Sequence, residues 1–440
     1  MSSTGFGSAR GLAGIRPLGM RPGDFGGRAG RRSAWGRVFA KDGLLRRYDW
    51  YLILITLVLC GFGTVLIWAA TASSLREAGL DPHTYLKKQI LNVGIGVVLM
   101  LAVASMDYRR IRSWTPIVYG VTLLLLAALL TPAGTSVNGA KAWIALPAGF
   151  QIEPSEYAKL AMILSTATLL SRRPGLRGRY YGVRESRGDA KDALQEMGAG
   201  RQGPGRPSVR DVLWAALAGA PLIGLVALEP ALGVTFVLVF ALAGMVVVSG
   251  LRLRWILGSL LGVAVAVYAA LGMHVLKGYQ ASRLTAFLHP QQDLTGAGYN
   301  LLQAKTAIGS GGMFGAGLFH GTFTGNNFVP SQQTDFIFTV AGEELGFVGC
   351  AAVIGLLVLL VLRAVRIAYR TDDLFGMLVA AGIAVWFVFQ SFVNIGMTIG
   401  LMPITGLPLP FVSYGGSAMF ADMIAIGLLQ SVRRHHSLFD

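Results

Sequence analysis

The chain has 440 residues, of which 53% are hydrophobic and 14% charged, with a mean hydropathy of +0.57 and a formal net charge of +16. So little charge among so many long apolar runs excludes a soluble globule and predicts an all-α polytopic membrane protein. The positive excess gathers on one set of loops, a topological pattern that makes nucleic-acid binding the poorer explanation.

Residues 1–48 are rich in Gly, Arg and Ser without helical periodicity and read as a disordered basic tail suited to contact with anionic lipid. Apolar spans of about 18 to 25 residues follow near 50–70, 86–105, 114–131, 156–171, 211–228, 231–249, 254–273, 336–362, 375–401 and 411–432, predicting ten transmembrane helices within a membrane domain of 49–433. The first span lacks a small-residue cleavage pattern, so it reads as a retained helix and not a signal peptide. The 172–210 segment mixes basic residues with Glu185, Asp189, Asp192 and Glu196 and reads as a linker or short surface helix. Between the seventh and eighth spans lies a large polar, Gly-rich loop, 274–335; a short tail, 434–440, closes the chain.

An even number of spans puts both termini on one side, and 30 of the 38 Lys and Arg residues fall in the segments on that side. This bias predicts cytoplasmic termini and an extracellular 274–335 loop. The two cysteines, Cys60 and Cys350, both lie in apolar spans, where a free thiol behaves as a small hydrophobe.

The acids and bases on the loop side are few and lie close to membrane ends. The long loop delivers Asp335 to the start of a membrane helix, a costly position whose default reading is a working site. Glu153-Pro154-Ser155-Glu156-Tyr157-Ala158-Lys159 opens a helix, with proline suited to its first turn and acids favoured by its dipole. Two readings of that segment stand side by side: a Glu156/Lys159 pair three residues apart that steadies the helix start, or a Glu and a Lys that bind or activate a polar substrate. The preceding Trp143 either stacks on a sugar face or anchors the interface. Glu229, at a turn between two spans, is either a partly solvated carboxylate or the partner of Lys159 across a cavity. The run Ala307-Ile308-Gly309-Ser310-Gly311-Gly312 predicts a tight turn or a close backbone approach to a ligand. No dinucleotide fingerprint or P-loop occurs, the six histidines show no metal-ligand spacing, and neither Ser-x-x-Lys nor Gly-x-Ser-x-Gly nominates a serine. A carboxylate base is what remains.

Taken together, Phe150–Leu160, Gly296–Gly317, Val329–Gly349 and Asn394–Ser417 resemble the SEDS family of shape, elongation, division and sporulation proteins, with the likeness running from about residue 50 to 432. Gly298-Tyr299-Asn300, His320-Gly321-Thr322 and Gly396-Met397-Thr398 are similar to the elongation branch, RodA-like rather than FtsW-like. Three positions depart from the family pattern. Its Gln-Pro-Ser-Glu is here Glu153-Pro154-Ser155-Glu156; an Asp before Leu-Gly-Thr is here Glu229, followed by Pro230-Ala231; and Pro-Glu-x-His-Thr-Asp is here Pro330-Ser331-Gln332-Gln333-Thr334-Asp335.

The resemblance implies a peptidoglycan glycosyltransferase that polymerises lipid II at the outer face of the bacterial cytoplasmic membrane. Its expected partners are a class B penicillin-binding protein that supplies the transpeptidase and the elongation machinery. On that footing Asp335 is expected to be the general base. Arg283, Lys305 and Lys159 are the cations available to a leaving pyrophosphate, supplemented where needed by a divalent cation such as Mg or Mn. Ser310 and Gln333 are expected to orient sugar or phosphate groups. A lipid II flippase and a non-catalytic scaffold that activates a partner synthase are the alternatives; the concentration of acids on one face argues against the first.

Overall fold

A computed structural model describes residues 48–132, 134–137, 140–145, 151–171, 209–229, 231–250, 283, 286–292 and 296–436. The tail 1–47, most of the 172–210 linker, the expected span at 254–273, much of the 274–295 stretch and residues 437–440 lie outside the described residues.

The described helices, in chain order, are α1 (Trp50–Glu77), α2 (Thr84–Ser105), α3 (Tyr108–Leu129), α4 (Pro154–Leu170), α5 (Val209–Leu228), α6 (Leu232–Val248), α7 (Ala297–Ser310), the single turn α8 (Thr322–Gly325), α9 (Ile337–Arg370), α10 (Leu374–Thr398) and α11 (Gly416–His436). All except α7 and α8 fall on spans expected from the sequence. Six of them (α1, α2, α3, α5, α9 and α10) are long and apolar enough to cross a membrane. Helix α4 is different: 15 of its 17 residues are buried. It packs against α3, α5, α6, α10 and α11, so protein and not lipid surrounds it, and this is what lets it carry polar side chains. Helix α11 packs closely on α2. A Cβ on Gly427 would lie 2.7 Å from the carbonyl oxygen of Met100, the small-residue contact by which membrane helices approach one another.

Capping sets several helix starts. The side chains of Asp49, Asp107 and Asp373 accept from the backbone N–H of Leu52, Arg109 and Gly376. Asp49 is 2% exposed and also pairs with Arg363 and Arg433, joining α1, α9 and α11 at the end where α1 starts.

Between α3 and α4 the chain forms an antiparallel sheet, β1 (Gly134–Val137), β2 (Ala140–Ala145) and β3 (Gln151–Ile152), with Thr135 opposite Trp143 and Ile144 opposite Ile152. An all-helical reading does not anticipate it, because strands this short carry too few alternations to register as a period.

Helix α9 is broken at Gly346, whose φ is 67°. The backbone groups freed there are taken up by the preceding loop: Ala316 and Gly317 donate to the carbonyls of Glu343 and Glu344 at 2.9 and 3.0 Å, and Phe347 and Val348 donate to those of Gly312 and Met313 at 2.9 and 3.1 Å. A Cβ on Gly311 would fall 2.0 Å from the carbonyl oxygen of Gly342, and one on Gly315 would fall 2.1 Å from that of Glu344. The glycine run read from the sequence as a turn or an approach to a ligand does turn, at 311–314, and its close approach is to the backbone of α9. Irregular backbone near a membrane must find its hydrogen bonds within protein, and here the loop supplies them.

Candidate active site

Asp335 sits one turn ahead of α9, half-buried, and three consecutive carbonyls there are withheld from the helix. Those of Gln333, Thr334 and Asp335 accept from the Tyr414 N–H at 2.9 Å, the Ser413 hydroxyl at 2.6 Å and the Asn394 amide at 2.8 Å. Helix α9 accordingly starts at Ile337. On the other side of the same turn, the buried Gln332 amide donates to the carbonyls of Ala70 in α1 and Thr324 in α8, both at 2.9 Å.

Gly406, with φ of 72°, faces the carboxylate; a Cβ there would lie 3.6 Å from Asp335 Oδ2 and 3.8 Å from Arg283 Nη1. Arg283 and Asp335 thus flank one patch of bare backbone. Burial raises the Asp335 carboxyl to about 6, with the Arg283 charge pulling it back down. An acid so placed is ionised at neutral pH yet basic enough to take a proton.

The second cluster is at the start of α4. Lys159 Nζ lies 2.7 Å from Glu156 Oε2, donates to Gln390 Oε1 at 2.9 Å and sits 4.6 Å from the centre of the Trp386 ring. Both members of the ion pair are sealed from solvent. Glu153, the residue before Pro154, accepts from the Ser155 hydroxyl at 3.0 Å, and its N–H donates to Ser417 at 2.9 Å. Burial, reinforced by the neighbouring Glu156, raises its carboxyl to about 8, and Asp335 is near enough to add to that rise. The Glu153/Glu156/Lys159 group and Asp335 therefore share one electrostatic environment.

Glu229 is 3% exposed, and its two carboxylate oxygens have no hydrogen-bond partner among the described residues. Neither sequence reading of it holds: it is not solvated, and Lys159 is paired with Glu156. Burial, with Glu153 second, raises its carboxyl to about 8, which keeps it neutral and makes the unpartnered position tolerable.

Four other expected residues lie elsewhere or play smaller parts. Trp143 is half-buried in β2, where its carbonyl accepts from Thr135 at 3.0 Å. Lys305 is exposed on α7 and lies across Gly400, just past the end of α10, where a cation meets the negative pole of the helix dipole. Ser310 donates to the Ala307 carbonyl of its own helix at 2.8 Å. Gln333 contributes its backbone carbonyl to the turn that holds Asp335. The sequence reading missed Gln332, Gln390, Asn394, Ser413 and Asp422. Asp422 is 1% exposed in α11 and accepts from the N–H of Phe411 at 3.3 Å, steadying a non-glycine residue with φ of 64° just before Ser413. Its sign was an acid inside an apolar span.

Residues 50–438 match the cell cycle protein family of FtsW, RodA and SpoVE. The chain belongs to this family. Relatives include a probable peptidoglycan glycosyltransferase FtsW of Trichlorobacter lovleyi, 35% identical over 396 residues that cover 90% of this chain and 95% of that protein. The peptidoglycan glycosyltransferase MrdB of Escherichia coli K12 is 34% identical, covering 88% and 94%. The peptidoglycan glycosyltransferase RodA of Treponema pallidum is 36% identical, covering 88% and 97%. Among solved structures, a chain from a peptidoglycan synthase complex that coordinates polymerization and crosslinking superposes with a TM-score of 0.70 at 31% identity, covering 88% of this chain and 98% of that one. The rod shape determining protein RodA of Thermus thermophilus gives 0.59 at 29% identity, covering 88% and 97%. As an FtsW/RodA/SpoVE protein the chain is a multi-pass membrane protein, in keeping with its apolar helices.

Proposed function

We infer that this chain is a peptidoglycan glycosyltransferase that polymerises lipid II at the outer face of the cytoplasmic membrane, with its termini in the cytoplasm and the Asp335 face outside. The observation that carries the reading is the half-buried carboxylate of Asp335 flanking, with Arg283, the bare backbone of Gly406. Relatives across nearly the whole length bear the name peptidoglycan glycosyltransferase.

In this reading Asp335 takes the proton from the 4-hydroxyl of an acceptor N-acetylglucosamine. The freed oxygen attacks C1 of the donor N-acetylmuramic acid from the face opposite the leaving group, and the C1–O bond to undecaprenyl pyrophosphate breaks with inversion. Such general-base assistance is worth about 10² to 10⁴ in rate. Arg283 is placed to offset charge on the departing pyrophosphate. Lys159, already neutralised by Glu156, serves the electrostatics around Glu153 and Asp335; Lys305 and Ser310 belong to α7 and its packing. Among the described residues no group of three or more His, Cys, Asp or Glu is arranged to hold a metal. A Mg or Mn ion supplementing Arg283 would be held by one or two carboxylates together with the substrate pyrophosphate, where it would offset charge on the leaving group, and no step is routed through one.

The partner is a class B penicillin-binding protein, in keeping with the synthase complex that this chain resembles, and the elongation branch is favoured by Gly298-Tyr299-Asn300 and His320-Gly321-Thr322. The test is polymerisation of lipid II by the purified chain, alone and with that transpeptidase, for wild type and Asp335→Ala. Glycan strands from wild type only support the reading. If neither makes polymer where a related synthase does, the enzyme reading fails and a scaffold or flippase takes its place.

A further inference from the structure

Trp386, Gln390 and Asn394 stand four residues apart along α10, so they share one face of the helix. All three are fully buried. Gln390 Oε1 accepts from Lys159 Nζ at 2.9 Å and Trp386 Nε1 at 2.6 Å, while its Nε2 donates to the carbonyl of Pro408 at 2.8 Å. One turn on, Asn394 Nδ2 donates to the carbonyls of Asp335 at 2.8 Å and Leu407 at 2.7 Å. Two amides on one helix therefore grip two consecutive carbonyls of the same extended segment. Each also reaches across to one charged element: the base turn for Asn394, the Lys159/Glu156 pair for Gln390.

The orientation of the Asn394 amide is fixed by its surroundings. Both neighbours within reach are carbonyl oxygens, which only the NH2 end can satisfy. Its Oδ1 has no hydrogen-bond partner among the described residues. A buried amide oxygen left without a partner is costly, so the residue's contribution lies in its two donors. Their effect is on backbone: the Asp335 carbonyl, held by Asn394, cannot join the first turn of α9, and the carboxylate stays beside Gly406.

We propose that Asn394 is a positioning residue for Asp335, and that α10, through Asn394 and Gln390, sets the spacing between the base and the Lys159 cation by clamping the Leu407–Pro408 peptide between them. The proposal rests on the reading of Asp335 as the base.

The test uses the full chain in detergent with Asn394→Asp, which keeps the shape but leaves at most one donor, the O–H of a neutral carboxyl, and Ser413→Ala, which releases the neighbouring Thr334 carbonyl. Two readouts are taken. Hydrogen exchange is followed in peptides covering 329–338 and 402–409; lipid II polymerisation is resolved into kcat and KM. Asn394→Asp is expected to speed exchange in both segments and, at temperatures where the variant is still folded, to lower kcat about 10- to 100-fold with KM changed less than about twofold. Ser413→Ala is expected to lower kcat by less, with faster exchange confined to 329–338. Exchange no faster than wild type in Asn394→Asp overturns the proposal whether or not the chain polymerises lipid II, and so does a normal kcat in an active chain. Loss of activity that merely follows loss of melting temperature also overturns it, reducing Asn394 to a packing residue. Wild type without activity, under conditions where a related synthase works, removes the base reading instead, and the exchange result still decides whether Asn394 holds the turn.

Discussion

Lys159 Nζ lies 2.7 Å from Glu156 Oε2, and the two side chains are 0% and 1% exposed. Removing one partner of such a pair strands a charge in the interior, at a cost of about 3 to 5 kcal/mol, whereas replacing both with apolar residues of similar size is close to neutral. Lys159→Met is therefore expected to melt well below wild type in detergent, and Lys159→Met/Glu156→Leu to recover most of the loss. Polymerisation is expected to stay low in the double variant, because the buried cation that Gln390 holds near Glu153 and its partner carboxylate are gone. Full activity in the stable double variant would show that the pair is structural alone.

The Asp335 carboxyl, lifted by burial to about 6, gives the rate of polymerisation an acid limb there. Below that pH the base is protonated and the rate falls about tenfold per unit. Arg283 pulls the carboxyl down, so Arg283→Gln is expected to move the limb to higher pH and Arg283→Lys to leave it closer to wild type. Initial rates between pH 5 and 8, taken from residual activity where necessary, measure this. A limb that stays put in Arg283→Gln contradicts the pairing across Gly406.

The described membrane helices and the candidate position of Asp335 were legible in the sequence because both leave local marks: apolar runs of bilayer length, and an acid at a place where an acid is expensive. The bracket around Asp335 was not. Asn394 reaches Asp335 across 59 positions and Ser413 reaches Thr334 across 79, and a side chain bonded to a distant carbonyl has no periodicity to betray it. The glycines of the 307–312 run were read as a turn or an approach to a ligand; the turn is present at 311–314, but what comes close could not be read, since a residue without a Cβ fits against any near surface, and here that surface is the broken backbone of α9. Glu229 failed as a partner for Lys159 because a nearer carboxylate, one helical turn away, already had it.

Glu229 and Glu153 make stability depend on pH in an unusual direction. Each is raised from 4.5 to about 8, by burial first. Between those values the folded chain holds protons that the unfolded chain has released, so stability falls as pH rises across the window. Glu229→Gln removes one of the two titrations. The melting temperature of wild type is expected to decline from pH 5 to 8.5, and that of Glu229→Gln to decline less steeply. Equal slopes would mean that Glu229 ionises normally in the folded chain.

Glu343 ties the loop to the break in α9. Its buried carboxylate accepts from the N–H groups of Phe323 and Thr324 at 2.7 and 2.8 Å and from the Thr324 hydroxyl at 2.7 Å, holding the single turn of α8. The carbonyl of Thr324 in turn accepts from Gln332, three residues before the base. Charge-assisted bonds of this kind are worth about 1.5 to 3 kcal/mol each, and their loss at a buried site exposes donors with no other partner. Glu343→Gln replaces one accepting oxygen with an NH2 that faces those donors, so it is expected to cost about 3 kcal/mol. It should also open 313–328 to limited proteolysis and lower kcat. Thr324→Val gives up only the hydroxyl bond and should lose about 1 kcal/mol, with the loop still resistant to protease. Protease resistance in Glu343→Gln equal to wild type would show that the α8 turn holds without the Glu343 carboxylate and separate the break in α9 from Asp335.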